Sequence, residues 1–110
     1  MLKDNRVYLL EILEYINDIQ TYLKGFDFEK FEKEKLVQDA VIRKIELIGE
    51  IAKRLSDGFW DQYREVLPLA EAVATRNKLI HEYDDVNLEI IWNTAKEDLP
   101  KLKREIKKLI

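Results

Sequence analysis

The stretch VQDAVIRKIELIGEIAKRL, residues 37–55, decides the fold class of this chain. Its apolar side chains recur every three or four residues, which is the period of an α-helix with one buried face. The members of this stripe are Val37, Val41, Ile45, Ile48, Ala52 and Leu55. We expect Asp27 to open this helix and Ser56-Asp57-Gly58 to end it. The stretch therefore predicts one long amphipathic helix with its apolar face in a core.

The same helical period extends over the rest of the chain. The expected segments are a first helix from Asp4 to Lys24, a short helix from Phe59 to Val66, a third main helix from about Leu69 to Ile80 and a fourth capped by Asn87. Pro100 lacks a backbone N–H, so it should kink the last helix. The sequence predicts a single all-α domain over residues 1–110. Its expected form is an up-and-down bundle of four main helices with one short extra helix.

Composition excludes several classes of function. The 110 residues contain no cysteine, which rules out a disulfide scaffold, a thiol nucleophile and cysteine-based metal sites. No apolar run approaches the roughly 18 residues of a membrane span, and the first residues lack the apolar core of a signal peptide. We therefore expect a cytoplasmic protein without a membrane partner. The net charge of −3 argues against a nonspecific nucleic-acid coat.

His81 is the single histidine and the main candidate for proton transfer near neutral pH. Arg76 precedes it by five residues, and the two side-chain types suit metal-free RNA cleavage. That reaction needs a proton acceptor for the 2′-hydroxyl, an acid for the leaving oxygen and a cation for the developing charge. On a regular helix the two side chains lie about 140° apart, so they converge only if the helix ends or distorts near His81. The simpler interpretation is a surface histidine stabilised by the helix dipole.

A single histidine per chain supplies only one proton-transfer group, whereas cyclising phosphoryl transfer uses both a base and an acid. A twofold dimer would bring two copies of Arg76 and His81 into one cleft and supply the second group. A metal site in residues 81–85 is the weaker alternative, because one imidazole and three carboxylates stand there without regular ligand spacing. We therefore expect neither a metal nor a cofactor.

The segment Arg76-Asn77-x-x-x-His81-x-Tyr83 resembles the Arg-x4-His-x-Tyr signature of HEPN domains, and specifically the HepT-like toxin group. Further blocks resemble the same group, at residues 38–43, 46–50, 91–92 and 97–102. The resemblance implies a four-helix HEPN bundle that forms a homodimer, with both motifs facing a cleft at the interface.

The resemblance also implies roles for individual residues. Arg76 and His81 match the catalytic pair of a metal-independent ribonuclease, and Asn77 matches its supporting polar residue. The implied antitoxin is a nucleotidyltransferase of the MNT type, which silences such toxins by adding AMP to the motif tyrosine, here Tyr83. The predicted function is an RNA-cleaving toxin of a toxin–antitoxin pair. The alternatives are a non-catalytic HEPN subunit that binds and regulates a minimal nucleotidyltransferase, and a plain helical dimerisation domain.

Overall fold

All the regular structure described by the computed structural model is helical. The description covers the backbone of residues 2–81 and 87–110 and the side chains of residues 5–78 and 87–110. The helices are α1 (Leu2–Tyr22), α2 (Phe28–Lys33), α3 (Lys35–Ala52), α4 (Asp57–Tyr63), α5 (Leu69–His81), α6 (Leu88–Asn93) and α7 (Leu99–Lys107), with a π-helical turn at Thr94–Asp98. The predicted all-α bundle with a short extra helix is confirmed. Among these helices, none is both long and apolar enough to cross a membrane.

Helix α3 occupies the centre of the bundle, with α1 on one side and α5 on the other, while α7 lies against α1. Asn5 at the start of α1 bonds to Ser56 beyond the end of α3, and Asp18 pairs with Lys44 at 3.0 Å. These contacts make α1 and α3 antiparallel. The predicted α3 stripe is buried from Val41 onward, and Val37 is half-buried.

The prediction of one continuous second helix from Asp27 is wrong. Asp27 caps α2, with its Oδ1 accepting a hydrogen bond from the Lys30 N–H at 2.8 Å, but the helix breaks at Glu34. The Gln38 side chain donates to the carbonyls of Phe31 and Glu32, at 2.9 and 3.0 Å, and the Phe31 carbonyl also accepts from the Glu34 N–H at 3.3 Å, so the side chain adds to the hydrogen bonds at the end of α2. The bend places the Phe31 ring fully inside the core.

Two helix starts also differ from the prediction. Helix α1 begins at Leu2, so Asp4 lies within its first turn and is not its cap. Helix α4 begins at Asp57 and not at Phe59, because Ser56 caps it by accepting a hydrogen bond from the Phe59 N–H at 3.2 Å. Residue Ser56 therefore ends one segment and starts the next.

The last helix is irregular directly before Pro100, where the proline was expected to kink it. The N–H of Leu99 donates to the carbonyl of Thr94, five residues back, which closes a π turn. Pro100 cannot donate to the carbonyl four residues before it, and the wider turn accommodates this loss. Helical structure resumes in α7, which buries Leu102 and Ile106.

The two hydrogen bonds of the Gln38 side chain are expected to stabilise the fold by a measurable amount. We expect Gln38→Ala to lower the free energy of unfolding by about 1–2 kcal/mol, because two carbonyls lose a buried donor. Urea unfolding followed by circular dichroism measures this. Gln62→Ala is the matched control, since Gln62 is exposed on α4 and its loss should change stability by less than about 0.5 kcal/mol. Equal effects of the two variants would contradict the assigned role of Gln38.

Candidate active site

Helix α5 lies against α3 at an unusually close contact. A Cβ added to Gly49 would overlap the Cβ of Arg76 and would come within 2.9 Å of the carbonyl oxygen of Ala72. Only glycine therefore allows α5 to approach α3 at this point. The contact places the first side-chain carbon of Arg76 directly on the surface of α3.

The guanidinium of Arg76 leans along α5 towards the next residue. Its Nη1 donates to the Oδ1 of Asn77 at 2.9 Å, and both side chains are half-buried. No carboxylate among residues 5–78 and 87–110 forms an ion pair with Arg76. Among the described side chains, only Asn77 accepts a hydrogen bond from the guanidinium, and this bond limits the directions in which the remaining N–H donors point.

His81 is the last residue of α5, about 7.5 Å along the helix axis from Arg76. Its imidazole lies outside the described side chains, and Tyr83 lies outside the described residues altogether. The structure therefore brings Arg76 and Asn77 together directly, and the roles of His81 and Tyr83 stay predictions. In the part of the chain whose side chains are described, no three metal-ligating residues cluster.

The two flanks of α5 differ in charge. Glu71 and Val73 are separated by two residues, hence by about 200° around the helix. Burial raises the pKa of the Asp98 carboxyl, and the nearby carboxylates of Glu71 and Glu97 raise it further. The Glu71 flank therefore carries three carboxylates with Lys101 beside them. On the Val73 flank, two cations, Lys53 and Arg64, stand with two carboxylates, Asp57 and Asp61.

The family of the chain follows from comparison with known proteins. The family profile described as "Ribonuclease HepT-like" matches residues 12–109. This chain belongs to that family. The match spans α3 and α5, so it includes the contact at Gly49 and both residues of the Arg76–Asn77 pair.

Several relatives of this HepT-like chain match it over nearly its whole length. "Probable ribonuclease HepT" of Thermococcus cleftensis is 38% identical over 109 residues, which cover 99% of this chain and 98% of that protein. "Putative RNase TTE0752" of Caldanaerobacter subterraneus is 37% identical, covering 99% and 96%. "Putative RNase MJ1216" of Methanocaldococcus jannaschii is 36% identical, covering 98% and 88%. No solved structure matches the fold of this HepT-like chain.

Gly49 is the site residue whose role sequence reasoning missed. In the sequence it stands within residues 46–50, one of the blocks that resemble the HepT-like group. A glycine inside a strongly periodic helix costs about 1 kcal/mol relative to alanine, and close packing against another element is one reason for such a glycine. The position of Gly49 within a periodic helix could have indicated close packing, but it does not identify the helix that packs there.

The close contact predicts opposite effects of the same substitution at two glycines. Gly49→Ala should lower the melting temperature of this HepT-like protein, because the new methyl group collides with Arg76 and with backbone that cannot yield. Gly58→Ala is the control, since a Cβ there meets nothing within 4 Å and alanine favours the helix. Differential scanning calorimetry should show a loss for the first variant and a neutral or raised value for the second. A stable Gly49→Ala protein would contradict the contact.

Proposed function

We propose that this protein is a metal-independent, RNA-cleaving toxin of a toxin–antitoxin pair. The observation that carries the proposal is Arg76, whose first side-chain carbons lie on α3 and whose guanidinium is held by Asn77 and lacks a carboxylate partner among the described residues. It belongs to the helix that ends at His81, in a chain of the HepT-like ribonuclease family. A half-buried guanidinium that forms no ion pair within the described part of the chain is suited to binding a phosphate.

In the proposed reaction, the RNA 2′-hydroxyl attacks the adjacent phosphorus and the 5′-oxygen of the next nucleotide leaves. His81 accepts the proton of the 2′-hydroxyl, and a second imidazole donates a proton to the leaving oxygen. The Arg76 guanidinium binds the phosphoryl oxygens, on which negative charge increases in the transition state. Asn77 acts as a positioning residue because it holds the guanidinium and does not itself carry a proton. The products are a 2′,3′-cyclic phosphate and a free 5′-hydroxyl.

The second imidazole would come from a second copy of the chain in a homodimer. Of the described side chains of α5, only Leu69 and Ala72 are buried, while Ala70 and Ala74 are exposed. Ala70 and Ala74 follow each other at one helical turn, so they leave small apolar side chains on one exposed face, where a second helix can approach closely. This incomplete burial supports a dimer in which α5 of each copy borders a shared cleft.

Regulation is proposed to act through Tyr83. An MNT-type nucleotidyltransferase antitoxin would add AMP to its hydroxyl, two residues beyond His81. The added phosphate brings negative charge and bulk to the place where an RNA phosphate has to bind, so repulsion and occlusion would both silence the toxin.

The catalytic roles predict that Arg76→Ala and His81→Ala each slow RNA cleavage by about 10²–10⁴-fold without lowering the melting temperature. Arg104→Ala is the charge-matched control, because Arg104 is exposed on α7. Cleavage by the wild-type protein should persist in EDTA. Inhibition by EDTA that a divalent ion reverses would refute the metal-free reaction. A wild-type protein that binds the nucleotidyltransferase without cleaving any RNA would favour the non-catalytic subunit.

The dimer predicts a solution mass of about twice 13.2 kDa at micromolar concentration, measured by light scattering. Ala74→Arg should shift the mass towards the monomer, because this residue is exposed on the face of α5 away from α3. Leu36→Arg is the control, since Leu36 is 81% exposed on α3. A wild-type monomer would refute the composite site.

The regulatory role predicts that Tyr83→Phe keeps RNA cleavage but escapes silencing by the nucleotidyltransferase. Mass spectrometry after incubation with the transferase and ATP should locate AMP on Tyr83. Tyr63 is the internal control, because its ring packs on Phe59 with centroids 4.6 Å apart. Modification of Tyr63, or of no tyrosine, would contradict the assignment.

A further inference from the structure

A groove of about 560 Å³ lies between the end of α3, helix α4 and the Val73 flank of α5. Its lining residues are Lys53, Asp57, Trp60, Asp61, Arg64 and Val73. The volume lies within the range of sites that hold one small ligand or one monomer of a polymer. None of these six residues takes part in the proposed reaction.

The groove continues the surface that carries Arg76. Val73 precedes Arg76 by three residues, so the two side chains are neighbours on the same side of α5. Lys53 follows Gly49 by four residues, so it lies one turn further along the same side of α3. Asn77, which holds the guanidinium, follows Val73 by four residues, so the guanidinium lies about one turn of α5 beyond the groove, on the same side of the helix.

Trp60 supplies the groove with a fixed aromatic surface. Its indole N–H donates to the carbonyl of Ala52 at 3.1 Å, which holds the ring in one orientation, and the side chain is half-buried. Nucleic-acid bases stack on such rings whatever their sequence. Because this hydrogen bond already fixes the ring, little conformational entropy is lost when a base stacks on it.

The cations of the groove are available to phosphates. Lys53 is exposed and forms no ion pair among the described residues. Arg64 pairs with Asp61 at 3.5 Å, with side chains 64% and 78% exposed, and such surface pairs are weak enough to exchange partners. The opposite flank of α5 carries the Glu71 carboxylate and would repel a phosphate chain.

We propose that this groove binds the RNA nucleotide next to the cleaved phosphate. In this assignment Trp60 stacks on the base while Lys53 and Arg64 contact the flanking phosphates. The assignment rests on the proposed ribonuclease function, and it sets the direction in which the strand leaves Arg76. Asp57 and Asp61 offset the two cations, so stacking on Trp60 should supply much of the affinity.

The test uses a single-stranded RNA oligonucleotide with 2′-O-methyl groups, which lacks the attacking hydroxyl and stays intact. Its binding to the wild-type protein should quench the fluorescence of Trp60. Trp60→Phe serves as the reference, because Trp92 then provides the remaining signal from its packed position against Phe31, with centroids 5.3 Å apart. Trp60→Leu should weaken binding, measured by fluorescence anisotropy, by about tenfold or more.

The contact between Lys53 and an RNA phosphate can be tested separately, by the salt dependence of the binding affinity. For a single strand, losing one phosphate contact lowers the slope of log affinity against log salt concentration by about 0.7. Lys53→Ala should show this decrease, while Lys107→Ala, which removes an exposed lysine of α7, should not.

Asp61→Asn should tighten RNA binding because it frees Arg64 from its ion pair. Its control is Glu29→Gln, which breaks an equally exposed pair, also at 3.5 Å, on α2.

The outcomes separate this inference from the proposed function. Binding without quenching of Trp60, or no binding at all, overturns the assignment of the groove. A change of solution mass in Lys53→Ala would assign the groove to a second copy of the chain and would also overturn it. If the modified RNA quenches Trp60 while unmodified RNA stays uncleaved, the groove stands as an RNA site and the ribonuclease reaction fails.

Discussion

The close contact between α5 and α3 at Gly49 is the constraint on which the rest of the site depends. With only a hydrogen atom at this position, the two helix backbones approach until Arg76 rests on α3. A larger side chain would have to displace either the arginine or the carbonyl of Ala72, and packed backbone moves only at high cost. The position of Arg76, the arginine of the proposed reaction, therefore depends on the absence of a side chain at Gly49 of α3.

The same contact gives α5 two unequal flanks. One flank meets the carboxylates around the π turn, whose mutual repulsion adds to burial in raising the pKa of Asp98. The other flank opens towards the groove, in which Asp57 and Asp61 offset the charges of Lys53 and Arg64 and Trp60 supplies an aromatic ring. In the proposed complex, an RNA strand near Arg76 would avoid the carboxylates of the first flank and stack on Trp60 on the second. Charge asymmetry across a single helix can orient a strand without any base-specific contact.

In the second helical segment, tertiary packing outweighs the helical period of the local sequence. The run from Asp27 to Leu55 is helical by its period, but the chain bends at Glu34 because the bend buries the Phe31 ring. Gln38 makes this break tolerable by donating to two carbonyls at the end of α2. The cost of interrupting the helical hydrogen bonds is met by a side chain whose role becomes visible only in three dimensions.

The sequence alone determined the fold class and the main helices, because the helical period is a local property that each segment repeats. Residue types at a short spacing indicated Arg76 and His81 as candidates, and the resemblance to the HepT-like group added Asn77 and Tyr83. Only the tertiary structure decided that Gly49 positions Arg76, and that a groove joins three separate segments at Lys53, residues 57–64 and Val73. Close approach and shared cavities depend on which helices pack together and at what separation, and no local period carries that information.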